Sequence, residues 1–154
     1  MQDYILLDRF DNNYYPIIKS PTSPLRFLSR FLSSDYRPYD QDLFINDINM
    51  YNITFVYNDL VNKILYIGFS KWEIDENVNA PDDEEFPNYV NETNSCKISI
   101  DNFIEIAENL MNLKKSPTPF AIMYRDDNNW ISCQGFESKE EMELFVKSHT
   151  QIQN

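Results

Sequence analysis

The stretch Phe120-Ala-Ile-Met-Tyr-Arg125-Asp-Asp-Asn-Asn129-Trp130-Ile-Ser-Cys-Gln-Gly135 decides the fold. Its two apolar, β-prone runs, 120–125 and 130–135, flank the turn formers Asp126, Asp127, Asn128 and Asn129, so it reads as an antiparallel hairpin. A hairpin alone is marginal in water and needs further strands or a helix to cover its apolar face. Both sides of the stretch offer helices. Upstream, Phe103, Ile104, Ala107, Leu110, Met111 and Lys114 recur at helical spacing; Asp101 is the expected cap, Lys114-Lys115 suit the C-terminal end, and Pro117 and Pro119 stop the helix. Downstream, Ser138 with Glu141 three residues on forms a capping box, and Met142, Leu144, Phe145 and Val146 are expected to bury one side of a last helix.

Further out, residues 4–8 and 14–19 lie on either side of Asp11-Asn12-Asn13 as a second hairpin. Residues 53–57 and 63–69 form a third around Asn58-Asp59-Leu60. Ser23-Pro24 opens a helix, Ser as N-cap and Pro at the first helical position. Leu25, Phe27, Leu28, Phe31 and Leu32 form its apolar face, with Arg26 and Arg30 together on the other. Residues 34–50 carry no readable pattern. The expected fold class is α+β: an antiparallel β-sheet built of hairpins with two or three packed α-helices, in a single domain spanning residues 1–154.

Length and composition agree with that expectation. A chain of 154 residues supports one sizeable core, and 42% hydrophobic with 15% aromatic content excludes disorder. Apolar runs such as 64–69 and 120–124 are strand-length, far short of the roughly 20 residues a membrane helix needs. Residues 1–8 lack a basic n-region and a long apolar region, so no secretory signal is expected and the cytoplasm is the expected compartment. In that compartment Cys96 and Cys133 are expected to be free, reduced thiols.

Charge is distributed unevenly. Residues 72–113 hold eleven acids against the single base Lys97, whereas residues 1–71 hold eight acids and seven bases and residues 114–154 hold six and five. Glu73, Asp75, Glu76, Asp82, Asp83, Glu84, Glu85 and Glu92 fall between Lys71 and Lys97 with no base among them, interleaved with Trp72, Phe86 and Tyr89. Summed like charges steer a cationic partner and raise its association rate. A solvated loop that only maintains solubility is the alternative. Trp72, Glu73, Asp75, Glu76, Asp82, Asp83, Glu84, Glu85, Phe86 and Tyr89 are the candidate partner-binding residues. The same charge disfavours direct binding of nucleic acid, which needs clustered Lys and Arg to release counterions.

Residues for common catalysis are scarce. His149 is the only histidine and sits at the tail of the last helix, where it suits a helix end better than a general base. Two glycines, Gly68 and Gly135, cannot build a phosphate-cradling loop, and one histidine with two distant cysteines does not make a zinc site. Asp75, Asn77 and Asn79 alternate like the first ligands of a calcium loop, but Ala80 stands where Gly is needed and Phe86 where a bidentate Glu is needed. Carboxylate pairs for glycoside hydrolysis are abundant without being specific. No catalytic residue, metal or cofactor is expected.

The residues Ile98-Ser99-Ile100-Asp101-Asn102-Phe103 leading into one helix, and Trp130-Ile131-Ser132-Cys133-Gln134-Gly135-Phe136-Glu137-Ser138 leading into Glu140-Glu141-Met142-Glu143-Leu144-Phe145, resemble bacterial immunity proteins of polymorphic toxin systems. The resemblance is strongest to those of contact-dependent growth inhibition, and it covers about a third of the chain. It implies a stoichiometric, non-enzymatic inhibitor of the C-terminal domain of a cognate protein toxin, often a basic nuclease, with no membrane partner. A small enzyme with an acidic active site and an acidic adaptor without a toxin partner remain as alternatives. An enzyme would hold perturbed acids in a concave pocket, and an inhibitor would display them on an open surface.

Overall fold

The N-terminal hairpin turns on two residues, Asp11 and Asn12, both at positive φ (49° and 69°). Short polar side chains tolerate this left-handed backbone, and the resulting turn matches the right-handed twist of its strands. The structure, a computed structural model, describes residues 1–17, 22–38 and 40–150. The first hairpin joins β1 (Asp3–Phe10) to β2 (Asn13–Pro16). The expected strand residues 18 and 19 lie outside the described residues.

Strand β1 pairs on its other edge with β7 (Phe120–Arg125), Ile5 opposite Met123 and Leu7 opposite Ala121. Strand β7 in turn pairs with β8 (Ile131–Phe136). The first sheet is therefore β2-β1-β7-β8, made of the two hairpins farthest apart in sequence. Between them in the chain, β3 (Ile48–Tyr51), β4 (Thr54–Asp59), β5 (Ile64–Phe69) and β6 (Ser95–Ser99) form a second sheet in sequence order. Both sheets are antiparallel throughout. The fold is α+β as expected, with two four-stranded sheets.

Two helices lie against both sheets. Helix α1 (Leu25–Arg30) continues into a π-helical turn over Phe31–Asp35, and α2 (Asp42–Ile45) is a single turn. Ser23 assists the start of α1, its Oγ accepting the Leu25 N–H at 3.1 Å. Helix α4 (Ile100–Lys115) follows β6 directly. Its cap is Ser99, not Asp101 as expected: the Ser99 side chain accepts the Asn102 N–H at 3.2 Å and Asp101 falls in the first turn. No loop separates β6 from the helix, so the extended residue at the junction takes the cap. Phe103, Ile106, Ala107 and Leu110 of α4 join Leu25, Leu28 and Phe31, and Ile5, Leu7, Val56, Leu65 and Ile67 from the two sheets, in one buried cluster. Ile104, placed on the apolar stripe by spacing, is half exposed; Ile106 takes the buried position instead.

Helix α5 (Lys139–Thr150) covers the opposite face of the first sheet. The Glu141 N–H donates to Ser138 Oγ at 3.1 Å, as the capping box predicts. Met142 is fully buried and Phe145 packs on Tyr124 and Phe136, but Leu144, expected inside, is 63% exposed. At a helical 100° per residue, 142, 145, 146 and 149 share a face that excludes 144.

The end of α4 is tied to the first hairpin by Arg9. Its guanidinium donates to the carbonyls of Leu113 (3.0 Å), Lys114 (2.6 Å) and Ser116, while the Tyr14 hydroxyl donates to Leu113 O (3.1 Å) and Thr118 O (2.7 Å). A cation on the unpaired carbonyls of a helix C-terminus is favoured by both hydrogen bonding and the helix dipole. Cys96 and Cys133 are free thiols on different sheets, and burial pushes both up to about 12. Among the described residues, no helix is long and apolar enough to cross a membrane.

Candidate functional surface

Alternation along β4 and β5 gives the second sheet two apolar faces. Val56, Leu65 and Ile67 face the main core; Phe55, Tyr57, Tyr66 and Gly68 face the other way, with Phe55 opposite Gly68 and Tyr57 opposite Tyr66. That second face is covered by the acidic segment itself. From the end of β5, residues Lys71–Glu73 form a 3₁₀ turn, Asp83–Glu85 a second, and α3 (Phe86–Tyr89) a short helix that leads back through an Asn-rich turn into β6.

Three rings fasten the segment. Trp72 stacks on Phe55 (centroids 5.8 Å apart, 23° between planes), Phe86 stacks on Tyr57 (6.2 Å, 17°), and Tyr89 meets Phe55, Trp72 and Phe86 edge-on at 5.9–6.0 Å. Gly68 makes room for this layer. A Cβ built there would lie 2.6 Å from Phe55 Cζ and 2.2 Å from the Asn94 carbonyl oxygen. The returning turn is held by side-chain amides: Asn91 Oδ1 accepts the N–H groups of Thr93 (2.8 Å) and Asn94 (3.2 Å), and Asn94 Nδ2 donates to Tyr89 O at 2.8 Å.

The carboxylates point the other way. Glu73, Asp75, Glu76, Asp82, Asp83, Glu84, Glu85 and Glu92 are all exposed. Among the described residues the one ion pair joins the Met1 amino group to Asp127, so none of these eight is ion-paired there, though Glu92 shares clefts with Lys97, Arg125 and Arg26. Three act locally as well: Asp75 Oδ1 accepts the Asn77 N–H at 3.0 Å, and Asp82 and Glu85 form a capping box in which Glu85 Oε1 accepts the Asp82 N–H at 3.3 Å and the Asp82 side chain accepts the Glu85 N–H. Glu92 lines two clefts, one with Lys97 and Arg125 and the other with Arg26, while the other seven are exposed and line neither of these.

The ten candidate residues therefore separate into two groups. Glu73, Asp75, Glu76, Asp82, Asp83, Glu84 and Glu85 form the exposed set. The aromatic members pack within the fold: Phe86 is 3% exposed, so its ring is closed within the protein's own aromatic layer, and Trp72 and Tyr89 are half-buried. Phe86, expected among the partner contacts, is buried in this structure and packs as a fastening residue. Sequence reasoning also passed over an apolar residue at the surface. Ile74, between Glu73 and Asp75, is 70% exposed. An aliphatic side chain inside a run of acids was the available signal. Met50, opposite Phe55 on the same face and 45% exposed, adds a second apolar surface group.

No family model, curated protein or solved structure matches the chain.

Proposed function

We propose that the protein is a non-enzymatic immunity protein that binds and neutralises a cognate cationic toxin domain in the cytoplasm, a nuclease with a basic cleft fitting the charge best. The observation that carries this reading is a set of seven exposed carboxylates without paired bases among the described residues, borne by a segment fastened by Trp72, Phe86 and Tyr89. Fixing the segment in advance lowers the ordering cost of association, and the uncompensated charge raises its rate. Ile74, exposed between Glu73 and Asp75, offers an apolar contact of the kind that anchors an interface once desolvated. Placement of the acids on an open surface rather than inside a cleft favours docking over catalysis.

The test is genetic and stoichiometric. A gene for a large secreted toxin should adjoin this one. Cells expressing its C-terminal domain should be protected in proportion to the amount of this protein, saturating near one copy per toxin. Protection sustained by sub-stoichiometric amounts would replace this reading with an enzymatic one, and failure of the two proteins to associate would remove it.

A further inference from the structure

We propose that a cleft bounded by β2, α1 and the π-helical turn binds a small phosphate ester carrying a flat ring, of about the size of a mononucleotide. This goes beyond the toxin-binding reading and does not depend on it. The cleft has a volume of about 390 Å³, toward the lower end of the range that holds small organic ligands. Tyr15 and Phe69 supply aromatic surface to it, Tyr14 lies beneath them in the core, and Arg26 and Arg30 supply charge.

Four residues apart on α1, the two arginines project from the same side of the helix. Each guanidinium lies over a ring, Arg26 on Phe27 at 4.8 Å and Arg30 on Phe69 at 5.3 Å from the centroid, contacts that bias where the two groups sit. Among the described residues neither makes an ion pair. Glu92, which lines a neighbouring cleft with Arg26, does not reach it. In a chain with 25 acids and 13 bases, these two guanidiniums have no carboxylate partner among the described residues. Their forked N–H geometry matches phosphate oxygens.

The remaining wall comes from the π-helical turn, a distortion that recurs at binding sites because it re-aims side chains out of the regular helical path. Here it brings Ser33 and Ser34 to the cleft. The Ser33 hydroxyl donates to Tyr14 O at 3.1 Å and retains its lone pairs, and the Ser34 hydroxyl is exposed. Two cations, hydroxyls and aromatic faces within one cavity describe a phosphate bound to a planar, partly apolar body. A polynucleotide is disfavoured, because the net charge of −12 repels a chain of phosphates, whereas one phosphate meets both guanidiniums inside the roughly 8 Å over which charge is felt at physiological salt.

Calorimetry and amide NMR on the full chain, using the four nucleoside monophosphates, inorganic phosphate and adenosine as probes, test the assignment. At least one nucleotide should bind tenfold or more tighter than phosphate or adenosine and shift the amides of Ser29, Ser33, Ser34 and Phe69. Arg26→Gln and Arg30→Gln should each weaken it tenfold or more, and Arg30→Lys should recover only part of the loss because it lacks the fork. The wild-type shift map stands whether or not a variant folds. No binding by any nucleotide at millimolar concentration, phosphate binding as tightly as every nucleotide, shifts confined to other elements, or indifference to both Gln substitutions in folded protein would each overturn the proposal.

Discussion

Replacing Gly68 by Ala isolates the fastening of the acidic segment in a single methyl group. In most extended positions such a change is neutral or stabilising, by about 0.4–1 kcal/mol, because it narrows the unfolded ensemble. Here the sign should reverse. The new Cβ would stand 2.2 Å from the Asn94 carbonyl oxygen, where even a close carbon–oxygen contact needs about 3.3 Å. The obstruction is backbone in the turn that returns the segment to β6, so no rotamer change relieves it. The Phe55 ring, 2.6 Å away, would also have to leave its stack with Trp72. Forcing extra volume into such a contact costs about 1–3 kcal/mol. Taking the middle of each range, a net loss of about 1.3 kcal/mol is expected, or roughly 3–5 °C in Tm for a chain of this size. Urea unfolding followed by tryptophan fluorescence measures it, and Trp72 emission should change before global unfolding as its stack loosens. A Gly68→Ala protein as stable as the parent, with unchanged Trp72 emission, would refute the packing argument.

Other expectations follow from single residues. Asn102 brackets the start of β8, its Oδ1 accepting the Ile131 N–H at 2.8 Å and its Nδ2 donating to Ile131 O at 2.7 Å, so Asn102→Ala should cost about 3 kcal/mol in chemical denaturation by orphaning both groups; a loss under about 1 kcal/mol would show that water replaces the amide. Cys96 and Cys133, with thiols pushed up to about 12 by burial, should resist alkylation at neutral pH until the chain unfolds, and intact-mass analysis with thiols blocked should find both reduced. Tyr51 donates to Asp40 at 2.7 Å, and burial first, then that carboxylate, raises its pKa above the ordinary 10.0. The folded state therefore holds this proton more tightly than the unfolded chain. The stabilisation is complete below about pH 10 and is lost as pH rises toward the folded value. Phenolate absorbance should rise for Tyr51 only together with alkaline unfolding, and Tyr51→Phe should flatten the decline; titration of Tyr51 near 10 in folded protein would contradict this.

Much of the fold is legible in the sequence because its turns are chemically explicit. Asp11-Asn12 and the Asn129 turn use residues that accept positive φ, so the first and last hairpins announce themselves. Their pairing into one sheet, β1 against β7, is a contact across more than a hundred residues that no local pattern encodes. Strand β3 and helix α2, four residues each, are too short to show a period, so residues 34–50 could not be read. The exposure of the carboxylates was legible from charge alone, since burying uncompensated charge is prohibitive. The inward turn of Phe86 was not. It depends on the bare face left at Gly68 and on Phe55 and Tyr57, which belong to a strand some thirty residues earlier. The exposure of Ile74 was legible in composition but not in periodicity: an aliphatic side chain inside a run of exposed acids is carried to the surface with them, although a lone apolar residue has no period of its own.

The most direct test of the central claim is the salt dependence of association with the cationic toxin domain, measured by stopped flow for the parent and for a variant with Asp82, Asp83, Glu84 and Glu85 replaced by Ser. All four side chains are exposed and none is ion-paired among the described residues, so the variant should keep its Tm within a few degrees. Its association rate at low salt should fall by about tenfold or more, and the slope against ionic strength should flatten, with dissociation changed far less. Equal rates and equal slopes for the two proteins would contradict the account and leave the acidic surface a device for solubility.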